Sequence, residues 1–308
     1  MTLTRVAFLG PEGTFTSQAA SRAIADADRV PLATIAEVIA AVRNGETELG
    51  VVPIENSIEG SVNLTLDELA FGSEGAYIRR EITIPISMTV LARPGVTLEQ
   101  ITTVRSQPHA LAQSRGWLER NLPHAALQAA TSTAEAAREA AAGDGSLAAL
   151  GPAVAAERFG LEILATDVQD FAGNMTRFVV LGGRMAPPSG ADKTSVVVFF
   201  GEDRPGLLLR ILDEFALRSI NLTKIESRPT KQALGEYCIF LDCAGHVTDA
   251  RVGEALRSVH RHVADVRILG SYPRADELAD LPGPADSDSA YAEAGDWFSR
   301  LERDIDSS

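Results

Sequence analysis

Cysteine is scarce in this chain, with two residues in 308, and aromatic side chains are few: two tryptophans, four tyrosines and eleven phenylalanines. So few thiols exclude a disulfide-framework fold. Cys238 and Cys243 stand five apart in a run of strand character, an odd separation that turns them to opposite faces, so they read as buried free thiols and not as a bridge. Long apolar runs are missing as well. No window approaches the roughly 18 apolar residues of a membrane-spanning helix, and the opening MTLTRVAFLGPEG has too short an apolar stretch for a secretory signal. The expectation is a cytoplasmic protein with no membrane partner. Positive charge is in deficit, 28 Lys plus Arg against 42 Asp plus Glu, for a formal net charge of −14. With no basic surplus to neutralise phosphates, nucleic acid is not an expected partner. His109, His124, His246, His260 and His262 have no acid or cysteine at metal-ligand spacing, which predicts no metal site. A Walker loop, a Gly-x-Ser-x-Gly elbow and a clean Gly-x-Gly-x-x-Gly are all lacking, which argues against kinase, hydrolase and dehydrogenase chemistry. Chemistry without a cofactor, or binding alone, is what remains.

What is present is ample apolar material, 45% of the residues, in a length that predicts two domains. From residue 4 to about 181, short apolar runs alternate with helical patterns. Val6–Leu9, a helix after Thr14, a helix over Ile35–Arg43, Leu49–Pro53 and a helix near Val62–Phe71 form one set. A β-rich stretch over Tyr77–Leu91 leads to a second set: Ile101–Val104, a helix over Ala110–Asn121, Leu127–Ala129, a helix over Ala134–Ala142, Leu147–Leu150 and a helix over Ala153–Phe159. This alternation predicts two α/β lobes with parallel sheets and a cleft between them. The Gly- and Pro-rich residues 182–192 read as a linker. Beyond them the order strand, helix, strand, strand, helix, strand over 194–269 is the ferredoxin-like plan. Residues 274–308 carry ten acids against three arginines, a net of −7, and read as a solvated tail in which Trp297, Phe298 and Leu301 offer a docking stripe.

Three polar groups sit where such a fold would expose them. Gly10-Pro11-Glu12-Gly13-Thr14-Phe15 joins the first strand to a helix, whose N-terminal N–H groups suit an anion. Glu55, Asn56 and Ser57 follow a buried strand. Asn174-Met175-Thr176-Arg177-Phe178 lies where the chain returns between the lobes, and an arginine there suits a carboxylate. Each group taken alone also fits a structural reading: a helix N-cap at Thr14, a side-chain turn at Asn56 and Ser57, a strand-start threonine and a structural ion pair at Thr176 and Arg177.

Together, Gly-Pro-Glu-Gly-Thr-Phe at 10–15, Pro-Ile-Glu-Asn-Ser at 53–57 and Thr-Arg-Phe at 176–178 closely resemble the signature blocks of the prephenate dehydratases. Residues 194–272 resemble an ACT regulatory domain, with Glu226-Ser227-Arg228-Pro229 matching the family's phenylalanine-binding motif. The chain departs from the family at Gly206-Leu207-Leu208-Leu209 and at Ser106-Gln107-Pro108-His109. The resemblance implies a two-lobed α/β, periplasmic-binding-protein-like catalytic domain followed by an α+β ferredoxin-like ACT domain. It places the catalytic domain at 1–183, with lobes at 1–78 plus 172–183 and at 79–171, a linker at 184–193, the ACT domain at 194–273 and an acidic tail at 274–308. The implied activity is conversion of prephenate to phenylpyruvate, water and carbon dioxide, under control of L-phenylalanine, by a homodimer or homotetramer without cofactors.

In this reading Thr176 donates to the leaving hydroxyl with help from Glu55, and Arg177 grips the pyruvyl carboxylate. Asn56, Ser57, Thr14, Gly13 and Phe178 complete the substrate cradle. The effector binds near Gly206, Leu207, Leu208, Asn221, Glu226, Ser227, Arg228 and Pro229. Arogenate dehydration and non-catalytic sensing of an amino acid by a binding protein are the alternatives.

Overall fold

Val6, Ala7 and Phe8, all fully buried, form the centre of the first strand, β1 (Thr4–Leu9). A strand buried on both faces needs cover on both. The chain provides it in order with α1 (Phe15–Ala23), β2 (Ala27–Leu32), α2 (Ile35–Arg43), β3 (Leu49–Asn56), the short β4 (Gly60–Ser61) and α3 (Asn63–Phe71). The computed structural model describes residues 3–72, 74–201, 204–231, 233, 235–276 and 283–303. Helices begin where the sequence offers caps. Thr14 accepts the Ser17 N–H, and Thr34 with Glu37 closes a reciprocal capping box. Strand β2 was not expected from the sequence. Its Ala-Asp-Arg-Val-Pro-Leu has few strand formers and a proline, which the sheet tolerates because β2 is an edge.

The chain leaves this lobe through β5 (Tyr77–Pro85) and β6 (Thr89–Ala92), then builds β7 (Thr103–Ser106), α4 (Pro108–Gln113), α5 (Arg115–Asn121), β8 (Ala126–Ala129), α6 (Thr133–Ala142), β9 (Leu147–Gly151), α7 (Val154–Phe159) and β10 (Glu162–Ala165). The second sheet has the order β10-β6-β9-β7-β8. β11 (Met175–Gly182) then rejoins the first lobe, beside β3.

The alternation had predicted parallel sheets, but neither sheet is wholly parallel. β1 is parallel to β2 and β3, and β7 to β8 and β9, but β11 runs antiparallel to β3, and β6 antiparallel to β9 and β10. A strand that carries the chain from the other lobe arrives at the opposite end of the sheet, so the crossing strands are reversed. The single helix expected over 110–121 is two, α4 and α5. Asp170, far along the chain, accepts the Gly116 and Trp117 N–H groups at 2.8 and 3.0 Å and so starts a new helix after Ser114. Apolar residues of both lobes, among them Phe8, Val51, Ile84, Val104, Leu118, Leu150 and Phe178, belong to one buried cluster.

The chain divides into two compact units, residues 1–74 with 82–183, and residues 75–81 with 184–308. In the second, β12 (Asp192–Phe199), α8 (Leu207–Ala216), β13 (Leu222–Pro229), β14 (Tyr237–Ala244), α9 (Ala250–His260) and β15 (Asp265–Pro273) form an antiparallel sheet of order β13-β14-β12-β15. β12 starts inside the stretch read as linker. Ile211 and Phe215 of α8 and Val252, Ala255 and Val259 of α9 bury against Val196, Val198, Ile239 and Leu241 of the sheet. Cys238 and Cys243 are buried and unbridged.

A final helix, α10 (Asp288–Arg303), carries Trp297, Phe298 and Leu301, all exposed. The tail residues Glu277, Asp280, Asp304 and Asp306 lie outside the described residues. Among the described residues no helix is long and apolar enough to cross a membrane, and no cluster of His, Cys, Asp or Glu is arranged to hold a metal ion.

Candidate active site

Strands β3 and β11 pair antiparallel with Thr176 opposite Asn56 and Arg177 opposite Glu55. Side chains alternate across a strand, so this register sorts the residues by face. Thr176, Phe178, Asn56 and Pro53 face a cavity of about 1200 Å³ within the first unit. Glu55 and Arg177 are not among its lining residues, and they pair with each other at 3.0 Å. The expected grip of Arg177 on a substrate carboxylate, and the expected help from Glu55, are therefore not what this arrangement offers. The alternation that brings Thr176 to the cavity turns its neighbour away.

Around Thr176 the hydrogen bonds form a directed chain. The Asn56 side-chain amide donates to Thr176 Oγ1 at 2.9 Å and to Asn174 Oδ1 at 2.8 Å, while Asn56 Oδ1 accepts the backbone N–H groups of Ile58 and Glu59. Those two acceptances fix which way the amide points, and so fix it as a donor toward Thr176. Asn174, almost fully buried, donates to Gln113 Oε1 at 3.0 Å, and Gln113 donates to Glu59 Oε1 at 2.7 Å. His109 Nδ1 stands 3.3 Å from the same Glu59 oxygen. Thr176 is 8% exposed, and its hydroxyl oxygen has an acceptance satisfied by Asn56.

The remaining predicted residues divide. Thr14 lines the cavity, but its hydroxyl donates to Pro11 O at 3.0 Å and caps α1, so its proton is already committed. Gly13 is buried with φ +83°. A Cβ there would lie 3.1 Å from the Phe159 ring, which accounts for a glycine at this close approach between the lobes. Ser57 accepts the Met175 N–H at 2.9 Å and anchors the start of β11; it is a strand clamp, not part of the cavity wall. Phe178 is buried, with its ring in both the core and the cavity wall.

The sequence reading missed the second lobe's contribution. Gln107, His109 and Gln113 line the cavity on and before α4, as do Thr131, Ser132 and Thr133 at the start of α6. Ser132 caps α6. The Thr131 hydroxyl and N–H both donate to Glu135, and these bonds hold its carboxyl below the usual range. The cationic groups of the cavity are Arg138, 3.9 Å from Glu135, and Arg158, which reaches across to Glu12 at 2.6 Å. One signal was available for Gln113. It stands four residues after His109 in a helix opened by Pro108, so the two share a face.

In the second unit, Gly206 (φ +83°) precedes α8, Leu207 is buried and Leu208 exposed. Asn221 accepts the Ala244 N–H, and β13 follows as an edge strand. Glu226 pairs with Lys224 at 3.1 Å and lies 3.8 Å from Arg228, all three on one face. Ser227 lies on the other face, and Pro229 closes the strand. One chain thus distributes the eight expected effector residues over a helix start and both faces of an edge strand.

The crystal structure of prephenate dehydratase from Arthrobacter aurescens in complex with L-Phe is similar at a TM-score of 0.88 and 42% identity, covering 97% of this chain and all of that one. GqqA, described as a novel type of quorum quenching acylase, is similar at a TM-score of 0.79 and 29% identity, covering 87% of this chain and 97% of that one. Fold and site define a two-lobed α/β protein with a cavity between its lobes and a ferredoxin-like module. The family model of the prephenate dehydratases matches residues 6–186 and that of the ACT domain residues 195–261, and the chain is 45% identical to the prephenate dehydratase of Mycolicibacterium vanbaalenii, over 94% of this chain and 97% of that one. This chain belongs to the prephenate dehydratase family, hydro-lyases, and carries an ACT domain.

Proposed function

We propose that the chain turns prephenate into phenylpyruvate, water and carbon dioxide, with Thr176 as the hydrogen-bond donor to the departing hydroxyl. The observation that carries this reading is the bond from Asn56 to Thr176 Oγ1. Because the oxygen accepts from Asn56, the hydroxyl hydrogen is left to point into the cavity.

The chemistry asks for little more. The bond from the ring carbon to its carboxylate breaks and releases carbon dioxide. The electron pair completes the aromatic ring, and the carbon–oxygen bond on the far side of the ring breaks. Aromatisation drives the step, so the protein has to stabilise negative charge on the leaving oxygen and hold the second carboxylate. A threonine hydroxyl is too weak an acid to give up its proton outright. It stabilises the oxygen by hydrogen bonding, and the proton that makes water is drawn from the cleft, where His109 and Glu59 stand together.

Arg138 and Arg158, with the first-turn N–H groups of α1 and α6, take over the carboxylate role first given to Arg177. Each arginine has an acidic neighbour, and an arriving carboxylate competes for it. Keeping cations away from the carboxylate that leaves matters equally, since a strong grip there would stabilise the ground state.

L-Phenylalanine acts as effector through the ACT domain, at the expected residues from Gly206 to Pro229. Distribution of these residues over one chain supports a site shared by paired ACT domains in a homo-oligomer, in the cytoplasm. Such control requires the effector to bind the open and closed forms of the cleft unequally.

The test is turnover of prephenate by the purified full chain, followed by ultraviolet absorbance of phenylpyruvate, with and without L-phenylalanine and with arogenate in parallel. Phenylpyruvate formation that L-phenylalanine modulates and Thr176→Ala abolishes is the expected result. Binding without turnover would instead make the cleft a sensor, and turnover of arogenate alone would move the substrate.

A further inference from the structure

Helix α10 stands away from the body that carries it. Its start is fixed, since Asp288 Oδ1 accepts the Ala250 N–H of α9 at 2.8 Å and Ala290 and Tyr291 are half-buried. Every residue from 292 to 303 is exposed. On this free part Ala294, Trp297 and Leu301 follow at steps of three and four, with Phe298 beside them, and Trp297, Phe298 and Leu301 are 56%, 55% and 46% exposed. The two rings touch each other, centroids 6.3 Å apart.

Isolated helices of about 12–15 residues are marginal in water, and an amphipathic helix gains its stability by burying its apolar face. Its free part holds three acids, Glu293, Asp296 and Glu302, against Arg300 and Arg303, a net charge of −1. Its free surface is thus aromatic, with a small surplus of acid.

The same unit contains the complementary surface. A groove of about 560 Å³ between α9 and β15 has an apolar floor of Leu256, Val266 and Ile268 and a rim of His260 and two cations, Arg257 and Arg261. Glu254 offsets part of that charge, lying 3.0 Å from Arg257. No α10 residue lines the groove, so within one chain the helix and the groove remain apart.

We infer that the Trp297–Leu301 face of α10 docks in the α9–β15 groove of a second copy of this chain. Aromatic rings fill the apolar floor, where each large aromatic buries about 150–250 Å², and the acids of α10 meet the rim. Exchange in both directions gives a two-fold, closed contact in which each chain donates one helix and receives one. This contact is separate from any pairing through the edge strand β13, so it adds a step of assembly.

The experiment compares the full chain with Trp297→Ser combined with Phe298→Ser, and with Arg257→Glu combined with Arg261→Glu, by sedimentation equilibrium. All but His260's neighbour Arg261 stand on exposed turns of helix, and circular dichroism and phenylpyruvate formation report that the variants fold. The expected result is that each double variant has half the mass of the parent at the same concentration. Mixing the two variants should restore the parent mass, because one intact helix then meets one intact groove. The emission of Trp297, isolated as the difference from Trp297→Phe, should lie at short wavelength in the assembly and move to long wavelength on dilution. Unchanged mass in either variant would overturn the inference. So would Trp297 emission at short wavelength at every dilution, which would seat the helix on its own chain, or at long wavelength throughout, which would leave it undocked.

Discussion

Asn56 donates its side-chain amide hydrogen to Oγ1 of Thr176 at 2.9 Å, and this bond decides what the threonine can offer. A hydroxyl that accepts from a fixed amide has its one hydrogen free for another partner. Thr176→Val keeps the shape and removes that hydrogen. It is expected to lower kcat by about 10²–10⁴-fold with KM little changed, since the lost bond is made chiefly in the transition state. Thr176→Ser should keep most of the rate. Steady-state kinetics of the two variants on prephenate check this, and a fall in Thr176→Ser as deep as in Thr176→Val would show that the methyl group, not the hydroxyl, is what matters.

Gln113 and Asn174 hold Asn56 in place from the other lobe and from the returning strand. Gln113→Leu leaves Asn174 without its acceptor, and kcat is expected to fall by roughly 10–10²-fold. Glu59 loses a donor in the same variant. Steady-state kinetics of Gln113→Leu beside a variant elsewhere on α4, which should keep its kcat, check the expected fall.

Arg177 and Glu55 pair away from the cavity, whereas Arg158 lines it. Arg177→Met should destabilise the protein by about 1–3 kcal/mol, because the arginine is mostly buried and its partner is left behind. Arg158→Ala should instead raise KM with little loss of thermal stability. Thermal unfolding and KM measured on both variants separate the two roles. A raised KM with an unchanged Tm in Arg177→Met would return that residue to the substrate.

Burial pushes the Cys243 thiol up from its ordinary value of 9.0 to about 12, and Asp242 beside it adds to the effect. A thiol whose pKa is raised on folding contributes stability below its ordinary value, and that contribution is lost as pH rises from 9.0 toward about 12. Stability from this group is constant across neutral pH. Neither cysteine should react with an aromatic disulfide reagent at pH near 8 in the folded protein, and both should react once it is unfolded.

Much of the fold was legible because burial writes itself into the order of residues. The helix over Ile35–Arg43 carries its own cap in Thr34 and Glu37, and the apolar runs at Val6–Leu9 and Leu49–Pro53 can only be inner strands. β2 escaped notice because its stability comes from its neighbour β1, not from its own residues. The break between α4 and α5 escaped for a similar reason: Asp170, which caps α5, is some fifty residues away.

At the site, Thr176 and Asn56 could be singled out from their neighbours in sequence, and motif resemblance gave both a role. Glu55 and Arg177 stand in the same motifs and took roles with them. Their faces depend on register, and register is set by pairing between two strands about 120 residues apart. Gln113, Arg138 and Arg158 carried no local signal comparable to a motif. They meet the first lobe's residues only because the second lobe folds across the same cavity.

By itself the sequence determined the elements with strong periodicity, the scarcity of thiols and of positive charge, the two-lobed plan with its ferredoxin-like module, and the family. These follow from composition, from spacing along the chain and from contiguous motifs, which need no partner to be read. Tertiary structure alone decided which motif residues face the cavity, which cations line it, how Asn174 and Gln113 orient Asn56, and where α10 leaves its apolar face uncovered. Each of those depends on distant segments meeting at one place, and a meeting in space has no representation in the local order of residues.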